Sequence, residues 1–144
     1  MEIKLEVFQN QLSMPPEDRK ICEKRMEECG LSLTENQFHN LQQHRCQALQ
    51  STGRVEFGEG ILKKLICVFC DSPYVSQDNY EETLIELQDL FYYFKNESME
   101  KLSDDELIEA MYHLFHAEAH GSLEYLAGTS LETLCRALRY PETD

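Results

Sequence analysis

The stretch LSDDELIEAMYHLFHAEAHG, Leu102 to Gly121, decides the fold class. Ser103 and Glu106 stand three apart, the spacing of a capping box, in which each side chain bonds the other residue's backbone N–H. Leu102 and Leu107 flank the box at the positions of a hydrophobic staple. Leu107, Ile108, Met111, Leu114 and Phe115 then recur at intervals of three and four, so they share one face of a helix. Gly121 supplies a left-handed stop. The signals agree on a helix over about 104–119 with one buried stripe.

Working outward, the same grammar repeats. Thr34 and Gln37 predict a capping box, Leu33 and Phe38 a staple, and Gly53 the end of a helix over about 34–51. Its apolar stripe of Phe38, Leu41, Ala48 and Leu49 is interrupted by Arg45. Pro15 and Pro16 ahead, with Gly30 behind, frame a helix over about 15–28. Ile61 to about Cys70 is apolar around most of its circumference, apart from Lys63 and Lys64, and is expected to be the buried helix. Asp71-Ser-Pro73 ends it, because proline disfavours helical geometry in the residue before it. Asp78 with Glu81 predicts a cap for the longest helix, about 79–97. That helix places Tyr80, Leu84, Leu87, Leu90, Phe91 and Phe94 on one face, with Ile85 and Tyr92 on a second ridge. A short turn over Ser122–Ala127 follows, and Thr129 with Glu132 predicts the cap of a last helix ending before Pro141. The expected architecture is all-α: a compact bundle of about six helices, with an extended N-terminal arm over 1–14 and a single helical domain over 15–144. The arm carries Ile3, Leu5 and Val7 alternating with charged residues, and the glycine-rich link from Gly53 to Gly60 is expected to deliver Val55 and Phe57 inward.

Bulk properties narrow the function classes. The 144 residues are 42% apolar and 28% charged, ordinary values for a chain with a core of its own. No window approaches the ~18 apolar residues of a membrane span, and no leader pattern opens the chain, so a cytoplasmic protein is expected. The net charge of −14 is uneven: residues 71–144 hold seventeen acids against four bases, a net of −13. Such a surface repels phosphate backbones, which disfavours nucleic acid as a partner, and suits a basic protein partner. Six cysteines without a secretory context read as reduced thiols that pack as small apolar residues.

Three segments, Thr52-Gly-Arg-Val-Glu-Phe-Gly-Glu-Gly-Ile61, Phe69-Cys-Asp-Ser-Pro-Tyr74 and Gly121-Ser-Leu-Glu-Tyr-Leu-Ala-Gly-Thr129, carry a resemblance. With Phe91-Tyr-Tyr-Phe-Lys-Asn96 and Leu102-Ser-Asp-Asp-Glu-Leu107, they make the stretch from Leu33 to about Leu138 resemble an uncharacterised family of small acidic bacterial proteins, found mainly in Firmicutes. The resemblance implies a bacterial source and a cytoplasmic setting, and no assigned activity.

The candidate chemistry is sparse. Glu109, His113, His116 and His120 project within about 60° of one another on the helix. Imidazoles at that spacing can converge on Zn²⁺ or Ni²⁺, which makes His113, His116 and His120 the candidate metal ligands of a metal-dependent enzyme or sensor. Their face lies opposite the apolar stripe, however, so solvated histidines near a helix C-terminus, where a cation is mildly favoured, are the better account of the pattern. Cys67-x2-Cys70 lacks the second pair of a zinc ribbon and lies at the wrong end of its helix for a thioredoxin-like thiolate. Cys22-x6-Cys29 mainly restates helical spacing. The link before Ile61 lacks the Gly-Lys-Ser/Thr of a phosphate loop, and Glu56 and Glu59 would repel an anion. Arg45 is expected to be buried and paired, with Glu56 and Asp71 as candidate partners. Tyr93 is expected to be exposed among acids, while Phe57, Tyr74 and the aromatic helix could line a small-ligand pocket. No catalytic set and no cofactor are expected, and a non-catalytic protein–protein interaction module is the reading favoured by the acidic half.

Overall fold

A computed structural model describes residues 14–56 and 60–140. Among them there is no strand, and six α-helices carry the fold: α1 (Pro16–Glu28), α2 (Glu35–Thr52), α3 (Leu62–Phe69), α4 (Tyr80–Glu97), α5 (Asp104–Ala117) and α6 (Leu131–Arg139). The expected arm and Phe57 lie outside the described residues, apart from Met14, which is buried. The chain divides into two compact units, with the boundary between Gln88 and Asp89, inside α4.

In the first unit the helix ends follow from the residues predicted to make them. Pro16 opens α1, and Gly30 beyond it takes φ +75°. Thr34 and Gln37 complete the capping box of α2: the Gln37 N–H donates to Thr34 Oγ1 at 3.1 Å and the Thr34 N–H to Gln37 Oε1 at 2.8 Å. Gly53 closes α2 at φ +69°. α1 packs on α3. Leu62, Leu65, Ile66 and Phe69 of α3 are fully buried, as the nearly all-apolar circumference of that helix demands. Two charge pairs hold α1 against α3 and its end, Lys63–Asp18 at 2.7 Å and Arg25–Asp71 at 3.2 Å. Two expectations fail here. Val55 is 68% exposed rather than inward, and it is the neighbouring Glu56 that turns in, toward the buried Arg45. The cap of α4 falls one residue later than predicted. Tyr80 is the first helical residue, and the Asn79 carboxamide accepts from the Ser76 N–H and donates to the Tyr74 carbonyl, closing the loop ahead of the helix.

In the second unit, Ser103 and Glu106 form the predicted capping box, at 3.1 and 2.9 Å. Leu107, Ile108, Met111 and Phe115 are buried. The turn between α4 and α5 wraps the ammonium of Lys95, which is 6% exposed. The ammonium donates to the Leu102 carbonyl and pairs with Asp104 at 3.1 Å. Met99 and Glu100 take positive φ to make this wrap, at 56° and 61°. The end of α4 is tied to α6 by Arg139–Glu97 at 2.6 Å and by the Cys135 thiol on the Phe94 carbonyl at 3.8 Å.

The capping box predicted at Thr129 and Glu132 is absent. The chain is helical from Leu123 to Arg139: one α turn (Leu123–Tyr125), a π turn (Leu126–Ser130), then α6. Ser122 is the cap, its Oγ accepting the Tyr125 N–H at 3.1 Å. In the π turn the Leu131 N–H reaches back to the Leu126 carbonyl, so a five-residue step replaces the usual four. That wider step keeps Leu126 and Leu131 both fully buried.

Candidate functional site

α1 and α3 bring four cysteines together that the sequence presents as two unrelated motifs. Cys22 and Cys29 come from α1 and its cap, Cys67 and Cys70 from α3 and its cap. Because these helices pack on each other, the cysteines meet pairwise. The Cys29 Sγ lies 3.3 Å from the Cys70 Sγ, and the Cys22 thiol is shared between the Met14 Sδ, at 3.9 Å, and the Cys67 sulfur. In each pair one thiol is buried (Cys22, Cys70) and the other half-buried (Cys67, Cys29). All six cysteines are free thiols. Cys70 hands its own proton on toward the carbonyls of Cys67, at 3.6 Å, and Arg25, at 3.8 Å.

The electrostatics divide the pairs. The hydrogen bond from Cys22 lowers the Cys67 thiol to about 7, against the opposing effect of burial, with Lys63 and Arg25 adding to the depression. Cys22 moves the other way, since it supplies that bond and is buried. Cys70 is pushed up to about 12, first by burial and then by its bond with Cys29. Tyr80, at the start of α4, is 1% exposed, and its hydroxyl has no hydrogen-bond partner among the described residues. Burial raises it, and all four cysteines act on it electrostatically in the same direction. Four thiols and a phenol thus share one buried patch, and Arg25 faces it with its Nε on the Cys67 carbonyl at 3.2 Å.

The histidines behave differently. Among the described residues no three His, Cys, Asp or Glu side chains come together as a metal site. His113 is exposed. His116 is turned back onto its own helix, its Nδ1 at 2.6 Å from the Tyr112 carbonyl and its ring 4.3 Å from the Tyr112 ring. α5 ends at Ala117, and His120 takes φ +48°, so it leaves the helical stripe on which the projection placed it. Convergence of His113, His116 and His120 required a helix running three residues further than α5 does.

Arg45 is completely buried and pairs with Glu56, Nε to Oε1, at 3.0 Å. Asp71, the other expected partner, is taken by Arg25 instead. The pair explains a glycine: a Cβ at Gly60, where φ is +54°, would clash with the Glu56 carboxylate and the Arg45 guanidinium. Gly60 therefore leaves room for an internal ion pair.

A groove of about 420 Å³ lies in the second unit, between Leu90, Tyr93 and Phe94 of α4 and the wall made by Glu124, Ala127, Gly128 and Glu132. The π turn forms part of that wall. Tyr93 is 51% exposed, as predicted, and Tyr125 is 45% exposed beside a second hollow that shares Glu124 and Gly128. Tyr74, expected in a ligand pocket, is 40% exposed and lines neither hollow.

Over residues 20–144 the chain matches a family described as a family of unknown function (DUF6323). It belongs to that family. The match begins at Lys20, so the DUF6323 span includes most of α1, which the resemblance read from Leu33 onward omitted. All four cysteines of the patch and both walls of the groove lie inside it. No curated protein and no solved structure matches the chain. No helix among the described residues is long and apolar enough to cross a membrane.

The groove and the thiol patch were both missed in the sequence, for different reasons. The patch left a trace: Cys22 and Cys29 sit two helical turns apart, Cys67 and Cys70 one turn apart, and each pair shares a helix face. What the spacing lacks is the statement that those two faces meet. The groove left none, since its wall depends on the π turn, which has no sequence signature here.

Proposed function

We propose that this DUF6323 protein is a protein-binding module whose acidic C-terminal half receives a basic, partly apolar segment of another protein in the groove beside the π turn. One observation carries the reading: a groove floored by Leu90 and Phe94, and rimmed by the exposed Tyr93 and by Glu124, in a half of the chain with a net charge of −13. Exposed tyrosines beside a hollow bury a large area at small entropic cost, which is why they anchor interfaces. The surrounding acids select a cationic partner and repel phosphate polymers. A π turn in the wall agrees with the tendency of such turns to occur at functional sites.

The test places a photo-cross-linking phenylalanine analogue at Tyr93 in the native host, with the same residue at exposed His39 of α2 as control. A discrete adduct at position 93 only is expected, weakening as salt rises toward ~1 M, where the screening length falls to about 3 Å. Deleting Gly128 converts the π turn to a regular α turn with Leu126 and Leu131 still on one face; the helical circular dichroism should persist while the adduct is lost. No adduct at any salt, or equal adducts at 93 and 39, overturns the reading.

A further inference from the structure

The thiol patch lies apart in sequence from the groove residues, and the proposed binding role makes no use of it. Cys29 and Cys70 already stand 3.3 Å apart, one half-buried and one buried, on the caps of two helices that pack together. A disulfide needs its sulfurs at about 2.05 Å, so closure asks for little more than ~1 Å of side-chain movement. Arg25 presents positive charge to both sulfurs, and its own proton is held more tightly by them, first by Cys70 and then by Cys29. Solvent reaches Cys29 and hardly reaches Cys70, which assigns the roles of entry thiol and resolving thiol.

We propose that Cys29 and Cys70 form a reversible dithiol–disulfide pair that exchanges with low-molecular-weight disulfides and, when oxidised, ties the end of α1 to the end of α3. In the first step the Cys29 thiolate attacks one sulfur of the small disulfide. That S–S bond breaks, and the released thiolate takes up the proton Cys29 lost. In the second step the Cys70 sulfur attacks the Cys29 sulfur of the mixed disulfide, displacing the second small thiol, which leaves with the proton of Cys70. Two protein thiols are oxidised by two electrons, and one small disulfide is reduced to two thiols. Reduction by an external dithiol reverses both steps. Cys67, the more acidic thiol of the patch, bonds to Cys22, and that pair is the internal competitor the experiment must distinguish.

The full reduced chain is titrated with oxidised glutathione, its free thiols are counted, and its links are located by fragmentation mass spectrometry without reduction. The expected result is a fall from six free thiols to four, a Cys29–Cys70 link, and full recovery with dithiothreitol. Cys29→Ser slows this thiol loss at least about tenfold, since the buried Cys70 is left without its entry partner. Cys70→Ser stops at a stable glutathione adduct on Cys29. The wild-type map decides the matter even if a variant fails to fold. Six thiols persisting in excess oxidant, a link confined to Cys22–Cys67, or a wild-type reaction halted at a single adduct each overturn the proposal.

Discussion

At the scale of single residues, two positions carry measurable consequences. Gly60 combines φ +54° with a backbone pressed against the Arg45–Glu56 pair. Gly60→Ala both strains the backbone and pushes on a buried ion pair, so urea denaturation should show a loss of about 2–4 kcal/mol. Gly53→Ala, where a Cβ meets nothing within 4 Å, should cost only about 1 kcal/mol. Cys67 supplies a pH prediction. With its thiol lowered to about 7 by the bond from Cys22, alkylation of Cys67 should rise to half its maximum near pH 7. Removing that bond with Cys22→Ala should move the midpoint up toward the ordinary value of 9.0. The linkage to stability has opposite signs within the patch. A depressed thiol stabilises the fold as pH rises past its folded value, whereas the raised Cys22 and Cys70 favour the fold below pH 9 and lose that contribution above it, when the unfolded thiols ionise. With two buried thiols raised against one lowered, thermal stability should decline above about pH 9. Arg45 was legible as a buried cation because an arginine in an apolar stripe must find a partner. Which carboxylate it found was not, since Glu56 and Asp71 both lay near enough in sequence.

At the scale of elements, helix caps were the most readable signals and also the most instructive failures. Capping boxes at Thr34 and Ser103 formed with both of their reciprocal bonds. Asp78 lost its place to Asn79, whose side chain serves the preceding loop. Thr129 lost its place because Ser122 had already begun a helix that continues through it. Ser103→Ala should therefore cost about 1 kcal/mol in chemical denaturation, while Thr129→Ala should stay within about 0.5 kcal/mol of wild type. Equal losses at the two positions would show that the π turn is not the native arrangement. The second stripe of α4 meets expectation at Tyr92, which is buried, and departs from it elsewhere: Gln88 and Lys95 are buried along it, while Ile85 is only half-buried. Hydrophobic periodicity finds the apolar and aromatic members of a stripe and overlooks the amide and ammonium groups buried beside them. Each has a carbonyl to donate to, the Gln88 amide N–H that of Leu41 at 3.4 Å and the Lys95 ammonium that of Leu102, beside the Asp104 carboxylate.

At the scale of the whole molecule, charge is the governing quantity. A chain of net −14 with seventeen acids in residues 71–144 repels itself when folded. Raising NaCl from about 10 mM to about 200 mM shortens the screening length from ~30 Å to ~7 Å, and the melting temperature should rise in a calorimetric titration rather than fall. The amino-acid sequence by itself determined the all-α class, the order of the helices, most of their ends, and the acidity of the second half. All of these rest on interactions within a few residues or on composition, and such interactions are written along the chain. Tertiary structure alone decided that Cys22-x6-Cys29 faces Cys67-x2-Cys70, that Arg45 meets Glu56 over Gly60, and that the chain past Ser122 absorbs a wider turn to form the wall of a groove. Each of these depends on which helix faces meet and where a helix stops. Those outcomes are set by packing the core as a whole, so no single segment carries a signature of them.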